Sequence, residues 1–288
     1  MSRVRIGVSG WSYGSWRGDF YPDDLPRDRE LAFLAERFDT VEVNGTFYGL
    51  QRPDTFRRWY EETPSDFRFA VKGSRFITHN KKLAAPKGPL ANFWAQGVLA
   101  LGEKLGPVLW QLPGSLTFDE ERVRRFLELL PPDTESAAAL ARDHDDRIED
   151  AVVEVEENHR LRHALEIRHE STLVPELVRA CRETGIALVF SHAADWLYTE
   201  ELTAGFVYLR LHGSPETYRS PYDRDLRWWA DRIRSWRSAE EPDDVQTITD
   251  RQPPPRKGRD VYVYFDNDQV GHAPRDAARL TELLEDEG

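Results

Sequence analysis

Eight short runs rich in Val, Ile, Phe and Tyr recur along the chain of 288 residues, and most are followed by a turn and a segment whose apolar residues are spaced three and four apart. The runs cover residues 4–9, 40–44, 67–72, 107–112, 164–168, 187–191, 206–212 and 261–266. Strands that alternate with helices predict a parallel sheet, because parallel neighbours need a crossover connection between them.

Two architectures fit this alternation, an open doubly wound sheet and a closed eight-stranded barrel. The count of eight favours the barrel, and so does a length close to the roughly 250 residues of such barrels plus insertions. No glycine-rich dinucleotide motif follows the first run. We therefore predict an α/β fold in which residues 1–288 form a single (β/α)8 TIM-type barrel. The connection between residues 191 and 206 is the weakest repeat, because it is short and interrupted by Gly and Thr.

Two segments exceed what the repeat requires. Residues 131–162 carry many charges and few large apolar groups, and a second stretch near 238–259 contains Pro253, Pro254 and Pro255. Neither segment is large enough to fold alone, so we predict surface insertions at both places.

Composition excludes several functional classes. Hydrophobic residues make up 40% of the chain, too many for a disordered protein, and no apolar run reaches the roughly 18 residues of a membrane span. The 51 acidic residues outnumber the 39 basic ones, giving a net charge of −12, which opposes general binding to polyanions. A single Cys181 excludes an internal disulfide, and a first run that begins at Val4 leaves no room for a signal peptide, so we expect a cytoplasmic protein.

Polar side chains share one parity within the predicted strands. Side chains alternate between the helix side and the interior of a barrel, and Val, Phe and Leu take the helix-side positions in six runs. The inward positions then hold Glu42, Asn44, Arg68, Lys72, Gln111, Glu166, Arg168, Arg210, His212 and Asp266. Most lie near the carboxyl end of their run, where barrel enzymes have their active sites.

Charges inside a barrel cost several kcal/mol unless they are paired, so these groups are expected to form one network or to meet a ligand. A purely structural network is the alternative, although a structural barrel would fill this layer with Val, Ile and Leu at lower cost. Arg68 fits the structural interpretation, because it comes early in its run. Gln111 fits the structural and the functional interpretation equally.

Two loops at the same end add aromatic groups. The loop after the first run begins with Trp11 and continues through Trp16 to Tyr21, and these rings are either a pocket wall or ordinary core cover. The loop after the seventh run contains Tyr218 and Tyr222, and it is either a lid over a ligand or a plain connection.

The same set of residues bears on metal binding. His169 and His192 end their runs, and together with the acidic groups they would supply enough ligands for a divalent ion. Lys72, Arg168 and Arg210 oppose a cation and suit phosphate or carboxylate, so we predict no metal and no cofactor. Motifs for zinc peptidases, phosphate-binding loops and serine nucleophile elbows are missing.

Seven of these stretches together resemble the DUF72, or YecE-like, family. They are SGWSY at 9–13, TVEVNGTFY at 40–48, FRFAVK at 67–72, QLP at 111–113, EIRH at 166–169, VYLRLHG at 207–213 and YFDND at 264–268. The resemblance covers nearly the whole chain and implies a TIM-type barrel, but no reaction. Two departures stand out: the family usually has Asn at the position of Asp266, and its connection corresponding to 131–162 is usually shorter.

Our leading functional hypothesis is an enzyme that acts on a small anionic substrate by acid/base chemistry without redox. Glu166 or Glu42 is the predicted general acid or base, Lys72 polarises or donates a proton, and His212 shuttles a proton. Arg168 and Arg210 hold the anion. The remaining predicted substrate-binding residues are Asn44, Gln111, His169, Tyr218, Asp266, Asn267 and Trp11.

Two alternatives remain open. One is a nucleic-acid module in which Trp11, Trp16 and Tyr218 stack on bases, an idea that the net charge disfavours. The other is a metal-dependent hydrolase. Neither the substrate nor the oligomeric state follows from the sequence.

Overall fold

The computed structural model describes residues 2–223, 225–250 and 252–285, so that residues 1, 224, 251 and 286–288 of the predicted 1–288 domain lie outside the described residues. Within those ranges, eight parallel strands follow one another in chain order around a closed barrel, as predicted. The strands are β1 Val4–Ser9, β2 Thr40–Val43, β3 Arg68–Lys72, β4 Leu105–Gln111, β5 His163–Glu166, β6 Ala187–His192, β7 Phe206–Leu211 and β8 Asp260–Phe265.

Helices occupy most of the connections between the strands. They are α1 Glu30–Ala35, α2 Gly45–Tyr48, α3 Pro53–Glu61, α4 Lys87–Ala95, α5 Glu120–Leu129, α6 Thr134–Ala141, α7 Pro175–Thr184, α8 Leu226–Arg237 and α9 His272–Glu285. The N-termini of α5 and α6 are capped by the carboxylates of Asp119 and Asp133, which accept from the backbone N–H of Arg122 at 3.0 Å and of Ser136 at 2.8 Å. Residues 193–205, all described, contain no helix, which explains why this repeat is weak in the sequence.

The chain divides into two compact units. Unit 1 comprises Met1–Glu42 and Ala187–Gly288, and unit 2 comprises Val43–Ile186. In unit 1 the strands pair in the order β2, β1, β8, β7, β6, with Ser9 opposite Glu42 and Arg210 opposite Tyr264. In unit 2 the order is β3, β4, β5, with Gln111 opposite Glu166.

Each unit has its own aromatic core. In unit 1, Trp229 and Trp236 of α8 are fully buried, and the Trp236 ring packs edge-on against Phe190 of β6. In unit 2, Trp110 of β4 contacts Phe93 of α4 and Phe126 of α5. Burial of such large rings contributes much of the stability of each unit.

The first part of the segment 131–162, predicted to be a surface insertion, contains a helix that packs against the rest of unit 2. Ala137, Ala138 and Ala141 of α6 are buried, and α6 packs against α4 in unit 2. Further along, the backbone N–H of Val152 donates to the carbonyl of Ala95 at 2.8 Å. A search for large apolar residues does not detect a helix whose buried residues are mostly alanines. The small alanine side chain nevertheless lets two helices approach closely.

Among the described residues, every helix is too short or too polar to cross a membrane.

Candidate functional site

Four of the predicted site residues lie just beyond the strands rather than within them. Asn44 follows β2, Arg168 follows β5 by two residues, His212 follows β7 and Asp266 follows β8. The backbone N–H of His212 still donates to the carbonyl of His192 at 2.9 Å, and that of Asp266 donates to Leu211 at 2.8 Å. In these four strands the predicted ends are therefore one or two residues too late.

In unit 1, six polar residues from β1, β2, β7 and the turns after β7 and β8 form a largely buried group that we call the Arg210 cluster: Ser9, Glu42, Tyr208, Arg210, His212 and Asp266. The guanidinium of Arg210 donates two parallel hydrogen bonds to Glu42, from Nε to Oε2 at 3.0 Å and from Nη2 to Oε1 at 2.7 Å. The same Nη2 also donates to Oδ2 of Asp266 at 2.9 Å. Arg210 is only 1% exposed, so these pairings form away from water.

The carboxylate of Glu42 receives four hydrogen bonds. Besides the two from Arg210, Ser9 donates to Oε1 at 2.5 Å and the Tyr208 hydroxyl donates to Oε2 at 2.7 Å. A carboxylate has about four acceptor sites, so Glu42 is saturated. Burial, together with the charge of Glu42, raises the pKa of Tyr208 well above its usual range, which keeps this hydroxyl a donor.

His212 lies at the edge of the Arg210 cluster and is completely buried. Its Nδ1 lies 2.9 Å from Oδ2 of Asp266, and its Nε2 lies 3.3 Å from Nη1 of Arg210. The rings of Trp196 and Tyr218 cover it, with centroids 4.4 and 5.6 Å from the imidazole. The loop that carries Tyr218 thus closes over His212.

Asp268 adds a second carboxyl group beside Asp266. Burial, and then the adjacent Asp266 charge and a hydrogen bond to that carboxylate, raise the pKa of Asp268 well above its usual range. The protonated form of Asp268 is therefore favoured beside the Asp266 carboxylate. Burial and the two aspartates also raise the pKa of the Tyr13 phenol, whose hydroxyl donates to the carbonyl of Ser9 at 2.6 Å.

Other predicted residues of unit 1 serve local contacts. The amide of Asn267 donates to Oδ2 of Asp276 at 2.7 Å and to the carbonyl of Ser220 at 3.0 Å, linking the end of β8 to α9. The half-buried Trp11 accepts a hydrogen bond at its carbonyl from Tyr21 at 2.6 Å. Trp16 is fully buried, so the idea that it stacks on a base is wrong.

In unit 2, a second group of residues forms what we call the Lys72 cluster: Phe47, Lys72, His79, Gln111, Glu166 and Arg168. The carboxylate of Glu166 is held by Nη2 of Arg168 at Oε1 and by Nε2 of Gln111 at Oε2, the latter at 3.0 Å. Glu166 is completely buried, whereas the side chain of Arg168 is 13% exposed. The Nζ of Lys72 lies over the ring of Phe47, 4.6 Å from its centroid.

His79 joins this cluster from the turn after β3. Its ring packs edge-on against Phe47 with centroids 5.1 Å apart. Burial lowers the pKa of His79, and the charges of Lys72, Arg75 and Arg168 lower it further, while Glu166 acts in the opposite direction. Three cationic side chains and one carboxylate therefore all act on the His79 imidazole.

Backbone contacts set the position of Lys72. Its carbonyl accepts from the Thr46 hydroxyl at 2.7 Å, and the next residue, Gly73, donates to the carbonyl of Leu109 at 2.8 Å. A Cβ at position 73 would lie 2.3 Å from the Trp110 ring, so only glycine fits here. The close packing of the Gly73 backbone on the Trp110 ring fixes the point at which the chain turns after Lys72.

Three further predicted residues of unit 2 have local roles. Nδ1 of His169 caps the 3-10 turn Glu170–Thr172, accepting from the Ser171 N–H at 3.2 Å. Asn44 precedes α2 and accepts at its carbonyl from Phe47 at 3.0 Å. Arg68 donates to the carbonyls of Ser65 and Phe67 at the start of β3, in keeping with the structural role predicted for it.

Sequence reasoning missed several residues that lie in or beside the two clusters. Asp268 stands in a motif that was recognised, but its pairing with Asp266 depends on the loop conformation. His79 and Trp196 lie in segments without strand or helix periodicity, and the only signal was their place after a strand. Across the described ranges, no group of three or more His, Cys, Asp or Glu side chains is arranged to hold a metal ion. His192, one of the suggested ligands, instead pairs through Nδ1 with the Tyr222 hydroxyl at 2.8 Å.

Comparison with curated proteins gives partial matches. UPF0759 protein YecE of Escherichia coli K12 is 29% identical over 136 residues, which are 41% of this chain and 47% of that protein. UPF0759 protein YunF of Bacillus subtilis is 26% identical over 125 residues, 42% of this chain and 43% of that protein. The chain thus matches somewhat less than half the length of these relatives.

Solved structures match over almost the full length. A DUF72 family protein from Thermotoga maritima has a TM-score of 0.73 at 24% identity, covering 98% of this chain and 99% of its own. A DUF72 family protein from Enterococcus faecalis has a TM-score of 0.67 at 16% identity, covering 98% and 95%. At these identities the likeness concerns the fold. The family model described as "Protein of unknown function DUF72" matches residues 5–288, and on that match the chain belongs to the DUF72 family.

Proposed function

We propose that the protein is an enzyme that binds a small anionic substrate, phosphorylated or carboxylated, at the Lys72 cluster and converts it by acid/base chemistry without redox. One observation carries this proposal: at the carboxyl ends of β3, β4 and β5 the Arg168 guanidinium holds the buried Glu166 carboxylate, and the charges of both groups and of the largely buried Lys72 ammonium act on the same imidazole, that of His79. Lys72 is 8% exposed and the side chain of Arg168 is 13% exposed. Cations removed from water to this degree are stabilised by a bound anion.

The two cations differ in what they offer. The planar fork of Arg168 suits two oxygens of a phosphate or carboxylate, whereas the ammonium of Lys72 is a compact charge that also donates a proton. In the proposed mechanism Arg168 holds the anion and Lys72 polarises the bond that reacts. Both remain slightly exposed, so that a small ligand has access.

Glu166 is the proposed acid/base group of this unit. Its two oxygens are held from different sides by Arg168 and Gln111, so the carboxylate has one orientation. Proton transfer by a side chain requires this kind of positioning within hydrogen-bond reach of the substrate. Gln111 is therefore a positioning residue.

The Arg210 cluster receives a different role in our proposal. Because Arg210 directs its fork at Glu42 and Asp266, we assign it to holding those carboxylates rather than a substrate anion. Glu42, His212 and Asp266 then belong to a buried network that sets the ends of β2, β7 and β8.

A binding experiment tests the proposal directly. Inorganic phosphate and citrate are added to the full chain, and the melting temperature and the heat of binding are measured at low ionic strength. We expect saturable stabilisation that is lost in Lys72→Met and in Arg168→Met. Lys87→Met is the matched control, because Lys87 is exposed and pairs with Asp143 on the surface at 2.8 Å.

Two results would contradict the proposal. One is that neither anion stabilises the protein, and the other is that Lys87→Met reduces binding as much as Lys72→Met. Once binding is established, a panel of phosphorylated and carboxylated metabolites is screened for turnover.

A further inference from the structure

The turn after β3 has an uncommon backbone. Residues Phe76–Asn80 form a single π-helical turn, a feature that is rare and often found at functional sites. Three residues shortly after it have positive φ without being glycine: Lys82 at 47°, Leu83 at 64° and Ala85 at 45°. Left-handed conformations cost free energy for side chains with a Cβ, so the surrounding contacts must impose this course of the chain.

Several contacts hold this segment in place. Ile77 and Thr78 are completely buried, and Leu83 is 2% exposed. The N–H of Leu83 donates to the carbonyl of Ile77 at 3.0 Å, which closes the loop onto the π-turn. The half-buried residue between these anchors is His79.

The imidazole of His79 is oriented from two sides. Nδ1 lies 2.9 Å from the Thr78 hydroxyl, and one edge of the ring packs against Phe47, the ring that also receives the ammonium of Lys72. Nε2 makes no hydrogen bond to any described residue. The ring is thus fixed beside a lysine while one nitrogen stays available.

The electrostatic surroundings of His79 are mixed. Lys72, Arg75 and Arg168 disfavour the imidazolium and Glu166 favours it, and burial also lowers the pKa. Helix α4 packs against this turn, and its charged residue, the exposed Lys87, pairs with Asp143. On the outer side, Lys81 and Arg147 lie 5.6 and 5.8 Å from the Phe76 ring. The lowered pKa favours the neutral imidazole at pH 7, and an anion placed among the cations favours its protonation.

We propose that His79 contacts the anion bound by Lys72 and Arg168 through Nε2 and exchanges a proton with it. This inference rests on the proposed function. In the forward transfer an X–H bond of the substrate breaks and an N–H bond forms at Nε2, which leaves an imidazolium and a deprotonated substrate. The reverse transfer restores the neutral ring, so no oxidant or reductant is needed.

The test measures the His79 imidazole by NMR. Full-length protein labelled with ¹⁵N in histidine is titrated from pH 5 to pH 9, with and without saturating inorganic phosphate, and the His79 signals are assigned with His79→Gln. We expect phosphate to raise the pKa of His79 by about one pH unit, because it places a negative charge beside the ring. Lys72→Met without phosphate is expected to raise it as well, since a nearby cation is removed.

The outcomes separate the two proposals. If phosphate does not bind to the wild-type protein, both the proposed function and this inference fail. If phosphate binds with the expected dependence on Lys72 and Arg168 but the pKa of His79 stays constant, only the inference about His79 is overturned.

A second measurement uses variants. His79→Gln is expected to weaken phosphate binding about tenfold below pH 6, where the wild-type imidazolium donates a charge-assisted hydrogen bond, and to flatten the pH dependence of binding. His159→Gln is the matched control, because His159 is also half-buried in unit 2 but pairs with Glu157 at 3.6 Å. Equal binding curves for the two variants would contradict a role for His79.

Discussion

The Arg210 cluster and the Lys72 cluster share three residue types but differ in the partners that surround them. Each contains an arginine, a buried glutamate and a histidine near the carboxyl ends of parallel strands. In the Arg210 cluster, four hydrogen bonds saturate Glu42, and Arg210 is 1% exposed. In the Lys72 cluster, Glu166 is held by Arg168 and Gln111, and the side chain of Arg168 is 13% exposed.

The difference shows that residue type alone does not assign a role. An arginine whose fork is directed at buried carboxylates stabilises the fold, because removing it leaves charges unpaired in a low-dielectric interior. Arg168 also holds a buried carboxylate, but its side chain remains in reach of water, so it is suited to take a ligand as well. We therefore expect the first cluster to respond to substitution mainly in stability and the second mainly in binding and activity.

The largest effect on stability is expected for Arg210→Met. This substitution leaves Glu42 and Asp266 without their shared cation, and we expect a loss of about 3–5 kcal/mol in the free energy of unfolding. Denaturant unfolding measures it. Arg168→Met is the matched variant and should cost less, because the side chain of Arg168 is partly hydrated; equal losses would remove the distinction between the clusters.

Activity should depend on the Lys72 cluster. On a substrate found by the metabolite screen, Glu166→Gln and Lys72→Met are expected to lower kcat at least about 100-fold, the range typical for loss of a proton-transfer group. Steady-state kinetics gives the result, with Lys87→Met as the control. Full activity in both variants would show that the assignment is wrong.

A smaller effect distinguishes two neighbouring aspartates. Asp266→Asn should destabilise the protein by about 2 kcal/mol, since hydrogen bonds to charged partners are lost, while Asp268→Asn should change stability by less than about 1 kcal/mol near pH 5. The reason is that the folded state favours the protonated form of Asp268, which an amide replaces well. Similar losses for the two variants would contradict proton sharing.

The raised pKa of Asp268 predicts that the free energy of unfolding depends on pH. The pKa of Asp268 is raised in the folded protein above its unfolded value of about 3.9, so the folded state binds the proton more tightly. The contribution of this bound proton to the free energy of unfolding is complete below the unfolded pKa and is lost as the pH rises through the folded pKa. Unfolding free energies of Asp268→Asn should therefore fall less steeply than those of the wild type as the pH is raised above about 4.

The smallest effect concerns the loop that positions His79. Ala85 has a φ of 45° and is exposed, so Ala85→Gly removes strain without removing a packed side chain. We expect a gain of about 0.5 kcal/mol, the relief of the left-handed conformation less the entropy cost of glycine. Ala84→Gly is the control, because Ala84 is exposed too but has no positive φ, and it should be destabilising.

Local patterns in the sequence anticipated much of this structure. The alternation of strands and helices predicted the barrel, and the parity of polar residues selected Glu42, Arg210, Gln111 and Glu166. Within each unit these residues do meet, as Glu42 with Arg210 and Gln111 with Glu166. The boundaries were less accurate, since Arg168 and Asp266 belong to the turns after the strands.

The predictions failed in segments that lack a repeating pattern of large apolar residues. His79 lies in a π-turn, and no repeating pattern of apolar residues marks such a turn. The helix at Thr134–Ala141 was overlooked because its buried face consists of alanines. In both cases the position of the chain depends on contacts made by residues far along the sequence.

The sequence by itself determined the fold class, the family and the shared parity of the polar residues, because strand alternation is a local property with a period of two. Only the tertiary structure decided which carboxylate each cation holds and how much water reaches it. Arg210 and Glu42 are 168 positions apart, and their contact depends on strand register and burial, which no local pattern contains.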